Sequence, residues 1–475
     1  MTSKSVTGQP KPFKRSSQGW KPHGYQKKAI KFGLQNSCAA FFLDPGLGKT
    51  SILLAIIKML KKEGLVDKVL IIAPLRVVYS VWPKEIEKWT DFNGLSYEIL
   101  HGKDKEKAYA RNADIYLINP EGMSWLFGHK DFKKRGFNML GIDESSKFKS
   151  TSSQRFKIIK NQLGYFARRY ILTGSPTPNG YMDLFGQIYI LDEGASLGRY
   201  ITHYRNRFFY PSGFQGYDWK LQQGAEKQIQ DAIRPLALRM DAADYLELPE
   251  LIVNDIYVDL PPEAREVYKE MEDELVAALA GNDIVAVSAA VASAKCSQMA
   301  NGGIYDENGV AYRIHDEKTE ALVNLVDELG GSPALVAYEY GHDLVRLRGV
   351  FGKDVPYIGG GVTPKRSAAL EKAWNAGELP VLLGQPASIA HGLNLQQAGN
   401  HVVWHSLTWN FEYYDQFNRR VFRQGNQHKR VFIHRIIARD TIDEIKIQAM
   451  NNKFRTQKDL FDALNTFLTK KAVEL

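Results

Sequence analysis

Two glycines, a lysine and a threonine fall together in Asp44-Pro45-Gly46-Leu47-Gly48-Lys49-Thr50, between an apolar run and a stretch with helical spacing. A loop at such a junction turns backbone N–H groups toward an anion at a helix N-terminus, where the dipole favours negative charge. Gly46 and Gly48 would line the phosphates, Lys49 would reach their β and γ groups, and Thr50 would ligate Mg²⁺. The segment departs from the strict G-x-x-x-x-G-K-T form, because Leu43 stands where the first glycine belongs. Further along, Leu140-Gly141-Ile142 leads into Asp143-Glu144-Ser145-Ser146, an apolar strand ending in two adjacent carboxylates. Asp143 suits the metal, directly or through water, and Glu144 suits polarisation of the attacking water. Together the two segments predict Mg²⁺-dependent work on a nucleoside triphosphate.

Residues so far apart need a scaffold that brings them together. Short apolar runs at 39–43, 69–72, 115–118, 139–142 and 170–172 read as buried strands, with helix-length stretches between them. A second set follows at 334–337, 381–383, 401–404 and 431–433. Strands alternating with helices imply parallel sheets covered on both faces. The intervening stretch, roughly 183–325, reads as mostly helical, with breaks at Pro235, Leu248-Pro249 and Pro261-Pro262. The expected fold is therefore α/β, with two parallel-sheet lobes joined by a helical connector. The 475 residues are ample for more than one core.

Composition narrows the function classes. Lys and Arg number 62 against 53 for Asp and Glu, a net charge of +9 that favours a polyanionic partner. Two cysteines, Cys38 and Cys296, are too few for a disulfide scaffold or a cysteine-based zinc site, which suits a reducing compartment. The longest apolar stretch, 284–294, is too short to span a bilayer, so no membrane role is expected. The first residues, with Lys4, Lys11, Lys14 and Arg15, read as a basic arm and not as a secretory signal.

Beyond these two segments, the chain resembles the Swi/Snf-type DNA-dependent ATPases of helicase superfamily two over about residues 20–450. Trp20-Lys21-Pro22-His23-Gly24-Tyr25-Gln26 is similar to the family's entry segment, whose glutamine reads adenine. Ala73-Pro74 with Trp82 and Trp89 resembles the segment after the second strand, and Asn119-Pro120-Glu121 takes a place that lies near DNA in the family. Leu172-Thr173-Gly174-Ser175-Pro176-Thr177-Pro178-Asn179 is similar to the segment that couples phosphate state to lobe movement. In the second lobe, Gly359-Gly360-Gly361 with Arg366 and Trp374 resembles one family segment, and Gly392-Leu393-Asn394-Leu395 another. Trp409-Asn410, Gln416, Arg420, Arg423 and Gly425 reproduce a third. Two places depart: Met240-Asp241 follows Arg239 where a basic pair is usual, and Ser388-Ile389-Ala390 replaces a small-residue triplet.

The resemblance implies two RecA-like lobes, with ATP and Mg²⁺ as cofactors. Gln26, Gly46, Gly48, Lys49, Thr50, Asp143 and Gly392 would hold the nucleotide, and Thr50 and Asp143 the metal. Lys49, Glu144, Arg420 and Arg423 would be catalytic; Thr173, Ser175 and Gln416 would couple hydrolysis to movement. Permanently charged arginine forks suit a transferring phosphoryl group. Pro74, Asn119, Arg366, Asn394 and Trp409 would face DNA, bound as a duplex through its backbone without sequence preference. The expected divisions are a basic arm at 1–19, a first lobe at 20–240, a connector at 241–325, a second lobe at 326–450 and a helical tail at 451–475. A bacterial cytoplasmic, possibly virus-encoded, DNA motor fits this compact layout. Two alternatives remain open on sequence: a nucleotide-gated DNA clamp with little turnover, and a strand-separating DNA or RNA helicase.

Overall fold

The computed structural model describes residues 18–178, 180–212, 218–280, 285–389 and 392–451, with backbone alone at 218, 275–280 and 285–290. The basic arm up to residue 17, Asn179, Ala390 and the tail from 452 lie outside the described residues. The chain divides into two compact units, one of residues up to 177 plus 181–245, the other of 178–180 plus 246 onward. The stretch 246–325, expected as a connector, lies within the second unit.

In the first unit, strands β1 (Cys38–Leu43), β2 (Lys68–Ile72), β3 (Tyr97–Ile99), β4 (Ile115–Ile118), β5 (Phe137–Asp143) and β6 (Arg168–Thr173) fall where the apolar runs predict. A hairpin follows, β7 (Phe209–Ser212) with β8 (Asp218–Leu221), and then β9 (Ala237–Met240). The main sheet runs β3-β4-β2-β5-β6-β1-β9, parallel throughout. Its strands are apolar on both faces because helices cover both sides. One cover is the helix Lys49–Lys62, which buries Ile52, Leu53, Leu54, Ile56, Ile57 and Leu60. Gly141 lets that helix approach: a Cβ there would lie 2.5 Å from Ile71 Cδ1 and 3.1 Å from Leu53 Cδ2. Since β1 and β5 both pair with β6, the segments after these three strands leave the same edge of the sheet. The C-terminal edge of such sheets is where ligands bind.

The second unit holds β10 (Glu250–Val258), the hairpin β11 (Gly303–Tyr305) with β12 (Ala311–Arg313), and β13 (Ala334–Ala337) to β17: β14 (Tyr357–Ile358), β15 (Val381–Gly384), β16 (His401–Trp404) and β17 (Arg430–Ala438). Its main sheet runs β10-β17-β16-β13-β15-β14, again parallel throughout. Two strands correct the mostly helical reading of 183–325. β9 is four residues of no strand-like pattern, and it exists because β1 offers it a free edge. β10 carries the period-two alternation Leu251, Val253, Asp255, Tyr257, a strand signal masked by its helical neighbours.

The sequence gives no warning of the charge buried in this unit. Lys318, Asp443 and Lys446 are almost fully buried: Lys318 is ion-paired to Asp443, and Lys446 Nζ lies 3.7 Å from the same carboxylate. Lys318 also donates to Asn301 Oδ1 (3.0 Å) and Lys446 to the Leu407 carbonyl (3.0 Å). Burial raises the Asp443 pKa, but the two ammonium groups outweigh it and the net direction is down. Alongside, His405 is pushed down to about 4 or below by burial, to about 3, and stays neutral while bonded to Thr319 and Ser406. Breaking one partner of such a set strands a buried charge. Lys318→Met is expected to cost about 3–5 kcal/mol in the unfolding of this unit. Acid should also weaken it: the unfolded His405 takes up a proton below its ordinary pKa, whereas the folded one does not until about 3. Denaturant midpoints at pH 7 and pH 5, for wild type and Lys318→Met, check both effects.

Candidate active site

The loop after β1 takes its shape from two left-handed glycines, Gly46 (φ 96°) and Gly48 (φ 78°). Gly48 caps the helix that begins at Lys49. A Cβ on Gly48 would lie 2.6 Å from Gln26 Nε2, so a side chain there would displace the glutamine. Gln26 is buried and held at both ends of its amide, accepting from the His23 N–H (2.9 Å) and donating to the Leu47 carbonyl (3.2 Å). Lys49 Nζ donates to the Leu43 carbonyl at 2.8 Å. Asp44 secures the loop from the other side, accepting from the Ala242 N–H at 3.0 Å.

Asp143 ends β5 and is buried, with Oδ2 accepting from Trp82 Nε1 at 3.1 Å. Burial first, and then the charge of Glu144, raises its pKa, while Lys49 and the Trp82 bond pull the other way. Glu144 follows in the left-handed region (φ 57°, ψ 56°), a conformation that costs a non-glycine residue energy and often marks functional sites. The turn beyond it is tied to the segment after β6 by Gln187, which accepts from Ser145 Oγ (2.7 Å) and donates to the Pro176 carbonyl (2.6 Å). Thr173 is fully buried, and its Oγ1 accepts from the Ser175 N–H at 3.1 Å. Pro74 caps a short helix after β2, and Asn119, after β4, donates to Glu121 at 2.6 Å. The first-unit residues singled out on sequence thus gather along one sheet edge.

The second-unit residues form their own assembly. Arg420 is buried; its Nη1 donates to the Leu393 carbonyl (3.0 Å) and its Nε to the Gln416 carbonyl (3.1 Å). Arg423 Nη1 donates to Asn394 Oδ1 at 2.5 Å. The arginine segment therefore clasps the Gly392–Leu395 segment, which Glu371 and Asn375 of the helix Pro364–Asn375 hold from behind. Arg366, exposed on the first turn of that helix, and Trp409, with the Lys446 ammonium 5.3 Å above its ring, stand outside this clasp. Gln416 donates to Glu412 (3.0 Å), while its Oε1 is buried without a hydrogen-bond partner.

Sequence reasoning missed the supporting residues. Gln187 sits in an apolar helix with no motif around it, and Glu85, which accepts from Ser51 and from Trp89 Nε1 (2.6 Å), looks like any surface acid. Only their contacts reveal them. The chemistry of the donor set fits a Mg²⁺-nucleotide. Left-handed glycines turn N–H groups inward for phosphates, and Thr50 with Asp143 supplies the few oxygen ligands that Mg²⁺ takes from protein when phosphates supply the rest.

Comparison with known proteins agrees. The SNF2-related domain matches residues 25–306. Protein p41 of Acyrthosiphon pisum secondary endosymbiont phage 1 is 35% identical over 460 residues, covering 93% of this chain and 98% of that protein. An uncharacterized ATP-dependent helicase of Mycoplasma pneumoniae is 26% identical over 465 residues, which are 93% of this chain but 42% of that protein. The chain thus spans less than half the length of that bacterial relative. Among solved structures, the Sulfolobus solfataricus SWI2/SNF2 ATPase core in complex with dsDNA aligns over 95% of this chain and 94% of its own, at 21% identity and a TM-score of 0.44. No helix among the described residues is long and apolar enough to cross a membrane. With the nucleotide loop, the paired carboxylates and a family match over more than half its length, the chain belongs to the SNF2-related domain family of helicase-like ATPases.

Proposed function

We propose that the protein hydrolyses ATP to ADP and phosphate when bound to DNA, and spends the turnover on moving along a duplex. The carrying observation is the shared sheet edge, where the Gly46–Gly48 loop, Lys49 and the Asp143–Glu144 pair come together. Gln26, fixed by its two backbone bonds, would present its amide to adenine. Gly46, Gly48 and Lys49 would cradle the phosphates, with Gly392 joining from the second unit. Mg²⁺, held by Thr50 and Asp143, would neutralise the charge that develops on the phosphates. Glu144 would take the proton of the attacking water, and Arg420 and Arg423 would supply positive charge to the transferring group. Thr173, Ser175 and Gln416 would relay the state of the phosphates.

DNA would lie against Pro74, Asn119, Arg366, Asn394 and Trp409, gripped through phosphates and so without sequence preference. The net charge of +9 supports such a partner. The deciding experiment is phosphate release measured alone and with duplex DNA, single-stranded DNA or RNA. Strong stimulation by duplex is expected; turnover indifferent to nucleic acid would end this reading. Affinity for duplex DNA should also fall linearly in log–log form with salt, because each neutralised phosphate releases counterions. A filter-binding series across salt concentrations and unrelated sequences checks that slope and its indifference to sequence.

A further inference from the structure

The second sheet ends in a nine-residue edge strand, β10. Leu251, Val253 and Tyr257 are 42%, 45% and 43% exposed, and they line up on one face because strand side chains alternate. The register sets them opposite Val431, Ile433 and Ile437, which are buried in the core that Ile447 and Met450 of the helix Ile442–Asn451 help to form. The apolar layer therefore continues past its buried part onto an exposed stripe. Long apolar edge strands invite pairing with other chains, and proteins commonly manage them by covering the edge.

The described chain stops beside this stripe. Asp255, midway along it, takes both arms of Arg435 at 2.5 and 2.7 Å, and the same guanidinium donates to Asn451 Oδ1 at 3.1 Å. Residues 452–475 follow, carrying Leu460, Phe461, Leu464, Phe467 and Leu468 at the spacing of one helical face. The eight residues 452–459 reach at most about 27 Å when extended, and the stripe from Leu251 to Tyr257 is about 20 Å long. The apolar residues are thus tethered within reach of an apolar surface of matching length.

We propose that Leu460, Phe461, Leu464, Phe467 and Leu468 pack on the Leu251–Val253–Tyr257 stripe of the same chain and close the open edge of the second sheet. Disulfide mapping in the full chain tests it, with Cys38→Ser to remove the partly exposed native thiol. Val253→Cys paired with Leu464→Cys should cross-link within the monomer at least tenfold faster than Val253→Cys paired with Thr466→Cys, which lies on the opposite side of the helical pattern. Equal rates, or cross-links formed only between two copies, would overturn the proposal. A second measurement needs no new thiol: Val253→Glu with Tyr257→Glu should speed tryptic cleavage after Lys458 and Lys470 at least tenfold. Both substitutions fall on exposed positions, so the sheet is expected to fold, and an unchanged cleavage rate would place the segment elsewhere.

Discussion

Glu144→Gln is expected to lower DNA-stimulated ATP turnover about 10²–10⁴-fold, the usual contribution of a positioned general base, while ATP binding changes little. Glutamine keeps the size of the side chain and can adopt the same backbone, but it cannot accept the proton of the attacking water. Glu144 occupies a left-handed position directly after the buried Asp143, and its N–H donates to Asp143 Oδ1 at 3.1 Å. The carboxylate is thereby directed by a turn that the rest of the fold stabilises, through Ser145 and Gln187. Lys49→Ala provides the contrast, since it should weaken nucleotide binding as well as turnover. Nucleotide affinity by equilibrium titration and phosphate release, measured on the same preparations, separate the two. Near-normal turnover in Glu144→Gln would assign the base to another residue.

Arg423→Ala is expected to lower stimulated turnover by about 10³–10⁵, the range seen when an arginine is withdrawn from a transferring phosphoryl group. ATP affinity should change far less, because the groups proposed to hold the nucleotide belong mainly to the first unit. Arg420→Ala should show the same loss with an added cost in stability. Its guanidinium is buried on the Leu393 and Gln416 carbonyls, and removing it leaves the Gly392–Leu395 segment without that support. Arg423, bonded to Asn394 and less buried, is the better test of charge alone. Undiminished stimulation by DNA in both variants would show that the catalytic charge comes from elsewhere. Lysine at 423 should recover little, since an ammonium lacks the planar fork.

The residues that carry the chemistry were legible because their types are constrained locally. A loop that must turn N–H groups toward phosphates needs Gly46 and Gly48, and a strand buried on both faces must be apolar up to the carboxylates that end it. The strands β1, β2, β4, β5 and β6, and β13, β15, β16 and β17, announced themselves for that same reason. Tertiary structure alone decided the rest. β9 is a strand because β1 has an edge to offer, not because Ala237–Met240 prefers it. Trp82 reaches Asp143 across 61 positions, and Gln187 reaches Ser145 across 42, distances over which no periodicity speaks. The buried Lys318–Asp443–Lys446 set is the clearest case. Each residue reads singly as an exposed charge, and only the packing of separate helices makes burial tolerable, by supplying each charge with its opposite.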